Sequence, residues 1–218
     1  MNKNAVKLSI ATLALVFLGS ANASTTKIET GYLVSGPLAS AADYVSAVDV
    51  AVAVATPGYG STYVSAYDNI SNQNLFGSNV NTAFKSTVDF SVSSADAGLW
   101  EIRSGVDFGN GGALFVDGTA YAFATNDMWW AGNYNNASQY FSISLNLSAG
   151  NHVLNIYGLE ACCDGFQQAQ FKSFTSNGFT TFSTTDGLTA AVPEPETYGM
   201  MLAGLGLMGF MVRRRKIA

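Results

Sequence analysis

Two stretches of the chain alternate apolar and polar residues with a period of two. The apolar members of the first are Phe84, Val88, Phe90 and Val92, and those of the second are Phe141, Ile143, Leu145 and Leu147. Successive side chains of a β-strand point to opposite faces of the sheet, so this pattern is typical of strands with one buried face. It restricts the fold more strongly than any other feature between the two termini.

Shorter strand candidates follow the same logic and are separated by turn residues. They cover residues 99–103, 113–116, 121–124, 153–157 and 169–174. Asp117-Gly118 between two of them is a strong signal for a two-residue hairpin turn. Many short strands at spacings near ten residues predict an all-β protein, an antiparallel β-sandwich of the jelly-roll kind.

The region before residue 84 is less regular. Residues 39–55 are rich in Ala and Val, which suits a helix or a buried strand. Val48, Val50, Val52 and Val54 alternate with smaller or polar residues, so the pattern favours a strand. Residues 59–78 have the composition of loops with short extended pieces.

The last 27 residues have the form of a sorting signal rather than of a domain. An apolar run at 198–212 has 15 residues, short of the roughly 20 that span a bilayer without help, and flanking cations extend its reach. The signal consists of Pro193, Glu194 and Pro195, the apolar run, and Arg213, Arg214, Arg215 and Lys216.

This tail resembles the PEP-CTERM sorting signal of Gram-negative bacteria. The resemblance implies a transmembrane helix that holds the protein in the inner membrane during transit. It also implies cleavage by an exosortase, followed by release or attachment to exopolysaccharide at the cell surface or in a biofilm matrix. The alternative is a plain C-terminal membrane anchor.

The N-terminus agrees with export. Lys3 and Lys7 precede an apolar stretch at 8–18, and Ala21 and Ala23 form an A-x-A cleavage site. This is the pattern of a secretory signal peptide covering residues 1–23, with signal peptidase as the processing enzyme. Residues 24–191 then form the exported domain.

The charge of the exported domain excludes nucleic acid as a partner. It carries 13 acidic residues against four basic ones, a net charge of −9. An acidic surface repels the phosphate backbone, whose neutralisation by Lys and Arg supplies most non-specific affinity.

Residues 84–174 resemble the PA14 and fibro-slime β-sandwiches in outline. The likeness lies in an apolar strand that follows a Gly-rich turn and ends in Asp-Gly, at 108–118, and in an aromatic strand after a small turn, at 147–158. Some PA14 lectins bind sugar through calcium held by paired Asp residues. This chain has Asn110-Gly111 at that point, so their calcium-dependent sugar binding is not carried over.

Cys162 and Cys163 are the only cysteines and are adjacent. With Asp164 and Gly165 they resemble a Cys-Cys-x-Gly motif found in a group of PEP-CTERM proteins. In an oxidising compartment the only intramolecular bridge open to them is a vicinal disulfide; free thiols and an intermolecular bond are the alternatives. A rigid ring at this turn would offer a flat apolar surface to a sugar.

Oxygen-bearing side chains gather at two turns and suggest calcium, which takes six to eight oxygen ligands. The candidates are Asp107, Asn110 and Asp117 at the first turn and Glu160 and Asp164 at the second. Capping of the turns by their own Asp and Asn side chains is the alternative.

Aromatic residues suggest a sugar platform. Trp129 and Trp130 are adjacent on a predicted extended segment, so one faces the core and the other the surface, and Tyr134 follows among Asn residues. An ordinary core tryptophan beside an Asn-rich loop is the alternative.

Catalysis is not expected. His152 is the only histidine and no nucleophile elbow is present, which argues against a Ser or Cys hydrolase. Two functions remain: a carbohydrate-binding exported module, or a structural or adhesive surface protein.

Overall fold

The computed structural model describes residues 24–188. The predicted signal peptide and the whole sorting tail, including its apolar run at 198–212, lie outside these residues. Within residues 24–188, no helix is long and apolar enough to span a membrane.

Two antiparallel sheets face each other, as the alternating patterns predict. The larger sheet has the strand order β2-β1-β3-β10-β6-β7. Its strands are β1 (Thr25–Tyr32), β2 (Ser61–Val64), β3 (Val80–Val92), β6 (Gly112–Val116), β7 (Thr119–Ala124) and β10 (Gly150–Cys162). The long central strands β3 and β10 pair from Val92–Gly150 at one end to Val80–Cys162 at the other.

The smaller sheet has the order β12-β11-β4-β9, and a two-stranded ribbon joins β5 to β8. These strands are β4 (Gly98–Gly105), β5 (Asp107–Phe108), β8 (Met128–Trp129), β9 (Tyr140–Leu147), β11 (Gln168–Lys172) and β12 (Thr180–Thr181). A short 3₁₀ helix, Ala137–Gln139, precedes β9.

The main core lies between the two sheets, where the inward residues of both alternating stretches meet. Phe90 of β3 packs against Trp100 of β4 at 5.7 Å between ring centroids, and Trp100 stacks on Phe171 at 5.2 Å. The predicted faces of β3 and β9 are therefore confirmed. β1 pairs with β3 along its whole length, so the sandwich begins well before residue 84.

The stretch 39–55 contains a helix, α1 (Ala41–Val52), and the strand prediction there was wrong. Ser40 caps the helix, because its side chain accepts a hydrogen bond from the Asp43 N–H. Tyr44 and Val48 pack on the outer face of the larger sheet. Val50 stays 71% exposed, so the apparent period of two was a coincidence of composition.

A second, shorter helix lies within the predicted loop region. It is α2 (Asn72–Phe76), capped by Ser71 and ended by Gly77 in the left-handed conformation. The predicted hairpin is confirmed: Asp117 and Gly118 have φ of 50° and 75° between β6 and β7. Two positive φ angles are the signature of a type I′ turn.

Candidate binding surface at one end of the sandwich

Cys162 and Cys163 lie where the central strand β10 ends. The structure joins them in a vicinal disulfide, and both residues are exposed. Cys163 has a φ of 74°, a left-handed conformation that is uncommon for a residue with a side chain. The loop therefore presents the disulfide ring outward at a sharp turn.

Backbone hydrogen bonds hold this loop against the strand and helix beside it. The N–H groups of Cys163 and Asp164 both donate to the Asn79 carbonyl, at 2.8 and 3.2 Å. The Asp164 carboxylate accepts a bond of 2.9 Å from the Gln73 N–H in the first turn of α2. The disulfide turn is thus tied to the start of β3 and to α2.

Two more buried carboxylates, those of Asp107 and Glu160, hold the backbone around the disulfide loop. Asp107 accepts a 2.6 Å hydrogen bond from the Gly165 N–H. Glu160 accepts one from the Gly109 N–H and another, at 2.8 Å, from the Cys162 N–H. Each carboxylate stabilises a turn by accepting hydrogen bonds from its backbone N–H groups.

The three carboxyl groups hold their protons more tightly than usual. Burial, strengthened by the nearby Glu160, raises the pKa of Asp107 to about 7. Burial also raises the pKa of Asp164 to about 6, although backbone N–H donors oppose it, and raises the pKa of Glu160. Low dielectric and neighbouring negative charge both disfavour the ionised forms.

Trp129 lies on the strand that pairs with Asp107. It pairs across the β5–β8 ribbon with Asp107, and residues directly opposite on antiparallel strands share one face. Its side chain is 61% exposed. Phe166, which follows Gly165, is also exposed at 48%. Trp129 on the ribbon and Phe166 on the loop thus belong to two segments that the hydrogen bond from Gly165 to Asp107 joins.

The two other predicted aromatic residues have structural roles. Trp130 is buried and packs over Gly105. Tyr134 stacks on the Arg103 guanidinium, whose carbon lies 3.8 Å from the ring centroid. Burial raises the pKa of Tyr134 to about 12. Of the predicted platform only Trp129 offers a free ring, in agreement with the prediction that one tryptophan faces inward and its neighbour outward.

The predicted calcium ligands do not all come together. Asp107, Glu160 and Asp164 lie in one group, whereas Asp117 sits at the β6–β7 turn beside Val153. Val153 and Glu160 are seven positions apart on β10, which is about 23 Å of extended strand. Within residues 24–188, no three His, Cys, Asp or Glu side chains are grouped so as to hold a metal ion.

Asn110 and Asp117 have partners that sequence reasoning missed. The Asn110 amide donates to the Ser35 carbonyl at 2.9 Å. One Asp117 oxygen lies 2.7 Å from Nδ1 of His152, and the other accepts from the Val153 N–H. His152 is buried near the start of β10, where it packs on Phe90. Both oxygens of Asp117 are thus engaged with strand β10.

Phe166 was also missed. It lies outside every alternating stretch, and its only signal was an aromatic residue directly after the Asp164-Gly165 turn. Large apolar side chains in turns are usually covered by the fold, so exposure at this position depends on how the loop is held.

The sorting tail matches a described family. The chain carries a PEP-CTERM protein-sorting motif at residues 191–216. The match covers the Pro-Glu-Pro tripeptide, the apolar run and the basic end, the three elements on which the resemblance was based. The motif implies that exosortase processes the protein, which is then an exported surface protein.

The sandwich has the fold of PA14 domains. A PA14 sugar-binding domain from an RTX adhesin superimposes with a TM-score of 0.51 at 12% identity, covering 78% of this chain and 99% of that one. The PA14 domain of the MpAFP antifreeze protein gives a TM-score of 0.47 at 11% identity, covering 89% and 98%. At such identities the likeness establishes the fold alone.

A looser likeness extends to an enzyme. A β-glucosidase from Kluyveromyces marxianus superimposes with a TM-score of 0.38 at 10% identity, covering 70% of this chain but only 17% of the enzyme. A TM-score this low carries no functional argument. No curated protein matched the chain.

Proposed function

We propose that the protein is an exported, exosortase-processed surface module that binds carbohydrate without catalysis. The observation that carries the proposal is the exposed Trp129 ring on the β5–β8 ribbon, which the hydrogen bond from Gly165 to Asp107 ties to the loop that carries the Cys162–Cys163 disulfide. Flat apolar surfaces with polar groups nearby suit stacking on the faces of sugar rings. The PA14 fold supports the proposal, since the RTX adhesin domain that shares it is a sugar-binding domain.

The buried carboxylates argue against glycoside hydrolysis at this surface. A hydrolase needs an acid and a nucleophile or base that face the glycosidic bond. Here Asp107, Glu160 and Asp164 each accept hydrogen bonds from backbone N–H groups of the adjoining turns. Glu160 uses both carboxylate oxygens in these contacts, and Asp107 and Asp164 use one each. We therefore propose a binding role for the loop end and a structural role for the acids.

The sorting tail and the sandwich domain together suggest that the protein associates with exopolysaccharide or a biofilm matrix. The sorting motif implies export, and a sugar-binding domain would retain the released protein in extracellular polysaccharide. The Cys-Cys-x-Gly turn would then be the part of the domain that contacts the sugar. A purely structural or adhesive surface protein is the second candidate, supported by the same sorting motif.

A glycan array with the purified domain, residues 24–191, tests the proposal. We expect binding that falls at least tenfold in the Trp129→Ala variant. Tyr63→Ala is the matched control, because Tyr63 is 68% exposed on the opposite edge strand β2. Both variants should unfold at the temperature of the wild type.

Two results would count against the proposal. Absence of binding to every glycan would favour the structural or adhesive candidate, and release of reducing sugar would favour an enzyme. The calcium prediction is tested on the same array with EDTA. Loss of binding that is restored by calcium would support it, and unchanged binding would refute it.

A further inference from the structure

A groove lies at the open side of the sandwich, between the edge strands β7 and β9. Its volume is about 390 Å³, within the range of small-molecule sites. Ala122 and Ala124 of β7 form one wall, and Tyr140 and Ser142 of β9 form the other. The segment between the strands supplies further polar groups, Asn126 and Ser138.

The groove exists because one wall has small side chains. Ala122 and Ala124 are the inward-facing residues of β7, where larger side chains would fill the space between the sheets. The buried side chains of Met128 and Phe141 form an apolar floor beneath them. An apolar groove rimmed by polar side chains at a sheet edge is a form that ligand-binding sites take.

The chain around the groove is almost without charge. Residues 118–159 contain a single Asp, Glu, Lys or Arg residue, Asp127, while the domain as a whole carries a net charge of −9. No Lys or Arg lines the groove to attract a carboxylate or sulfate group. The acidic remainder of the domain repels polyanions. An uncharged ligand is therefore favoured.

The groove is distinct from the loop end that carries Trp129. Met128 contributes to the groove, and Trp129 is the next residue of the same strand, so their side chains point to opposite sides. Met128 is buried while Trp129 is exposed. Substitutions at one surface can thus be made without touching the other.

We propose that the β7–β9 groove is a second carbohydrate site, and that it takes a neutral polysaccharide chain. This inference rests on the proposed function and specifies the class of sugar. Apolar sugar faces would lie on the Met128 and Phe141 floor, and hydroxyl groups would exchange hydrogen bonds with Asn126, Ser138 and Ser142. The backbone N–H and C=O groups along the outer edges of β7 and β9 offer further partners to an extended chain.

Blocking the groove tests the proposal. Ser138→Trp places a bulky side chain at an exposed rim position, and Ala124→Phe fills the groove from within. The ligands are soluble neutral polysaccharides, dextran, β-1,3-glucan and galactomannan, and the polyanions alginate and polygalacturonate. We expect at least one neutral polysaccharide to bind the wild type, with affinity reduced at least fivefold in Ser138→Trp, and no binding of the polyanions.

Comparison of the variants distinguishes the groove from the loop end. Loss of binding in Ser138→Trp with binding retained in Trp129→Ala assigns the polysaccharide to the groove even if the loop end binds nothing. Unchanged binding in both Ser138→Trp and Ala124→Phe overturns the groove site while leaving the loop-end proposal intact. Preferential binding of alginate overturns the neutral specificity. Dimerisation of the wild type that Ser138→Trp abolishes, measured by sedimentation, would show a second copy as the occupant and also overturn the proposal.

Discussion

The Asp107 carboxylate accepts a 2.6 Å hydrogen bond from the Gly165 N–H, joining residues that are 58 positions apart. This contact links the β5–β8 ribbon, which carries Trp129, to the loop that carries the disulfide. Asp107 is 5% exposed and has Glu160 and Asp164 as negatively charged neighbours. The ribbon and the disulfide loop are therefore joined by a carboxyl group whose pKa is raised by burial.

Stability should fall as pH rises from about 4 to about 7. Asp107, with a pKa of about 7, and Asp164, with a pKa of about 6, bind protons more tightly in the folded protein than in the unfolded chain, where the value is 3.8. The unfolded state then carries fewer protons across this window, so the free energy of unfolding decreases with pH. Each unit of displacement corresponds to about 1.4 kcal/mol.

Thermal unfolding of residues 24–191 at pH 5 and pH 7.5 measures this dependence. We expect the higher midpoint at pH 5. Asp107→Asn keeps an oxygen acceptor for the Gly165 N–H but cannot ionise. It should therefore reduce the difference between the unfolding midpoints at pH 5 and pH 7.5. A higher midpoint at pH 7.5 in the wild type would contradict the prediction. Calcium that raised the midpoint only at the higher pH would show a metal bound by the ionised carboxylates instead.

The disulfide should matter more for binding than for folding. Cys163→Gly removes the ring but suits the φ of 74°, since glycine adopts left-handed conformations without strain. We expect glycan binding to fall at least fivefold, with an unfolding midpoint close to that of the reduced wild type. Cys163→Ala is the comparison variant and should be less stable than Cys163→Gly. Full binding by Cys163→Gly would exclude the disulfide as a contact surface.

Arg103 should be a stabilising residue that lysine cannot replace. Its guanidinium carbon lies 3.8 Å from the Tyr134 ring centroid and 3.7 Å from that of Phe179, and its nitrogens donate to Gln170. Lysine lacks the planar group that stacks between two rings. We expect Arg103→Lys to lower the free energy of unfolding by about 1–2 kcal/mol in urea denaturation.

Lys172→Gln is the control for that measurement. Lys172 forms a surface ion pair with Glu101 at 2.9 Å, with side-chain exposures of 33% and 40%. Exposed pairs contribute about 0–1 kcal/mol. If the two variants lost the same free energy of unfolding, the contacts of Arg103 with the two rings would contribute no more than an exposed ion pair does.

Gly158 should not tolerate a larger residue. A Cβ atom at this position would lie 2.1 Å from Cδ2 of the buried Phe108 ring. Gly158→Ala is expected to cost about 1–3 kcal/mol, because the ring has to shift within a packed core. Gly36→Ala, where no atom lies within 4 Å of the added Cβ, should be neutral in the same urea titration.

Processing of both ends should be visible in the mature protein. Mass spectrometry of protein recovered outside the cell is expected to show an N-terminus at Ser24 and loss of the segment that follows the Pro193-Glu194-Pro195 motif. Replacing Arg213, Arg214 and Arg215 by Gln should reduce release. An intact C-terminus in the extracellular protein would contradict exosortase cleavage and favour a plain membrane anchor.

The strands were predictable because their pattern is local. Residues 84–92 and 141–147 each carry a buried face in their own alternation, and the Asp117-Gly118 turn needs only the chemistry of two residues. Residues 39–55 were mispredicted for the opposite reason. Ala and Val occur in both helices and strands. The helix forms because Ser40 caps its first turn and Tyr44 packs on the outer face of the larger sheet.

The candidate surface was predictable only in part. Adjacent cysteines and adjacent tryptophans are visible in the sequence, as is the likelihood that only one tryptophan faces outward. The contacts of Asp107 with Gly165 and of Glu160 with Gly109 span 58 and 51 positions. Such contacts have no local signal. The sequence therefore does not show that three of the five predicted oxygen ligands are neighbours, that the Asn110 side chain bonds Ser35, or that Asp117 lies at another turn.

The sequence by itself determined the sorting motif, the strand faces and the acidic charge, because each is a property of neighbouring residues or of composition. Only the tertiary structure decided which carboxylates meet, which aromatic ring stays exposed and where a groove remains between β7 and β9. Those outcomes depend on the pairing of distant strands, and on small inward side chains such as Ala122 and Ala124 whose neighbours across the gap lie far along the chain.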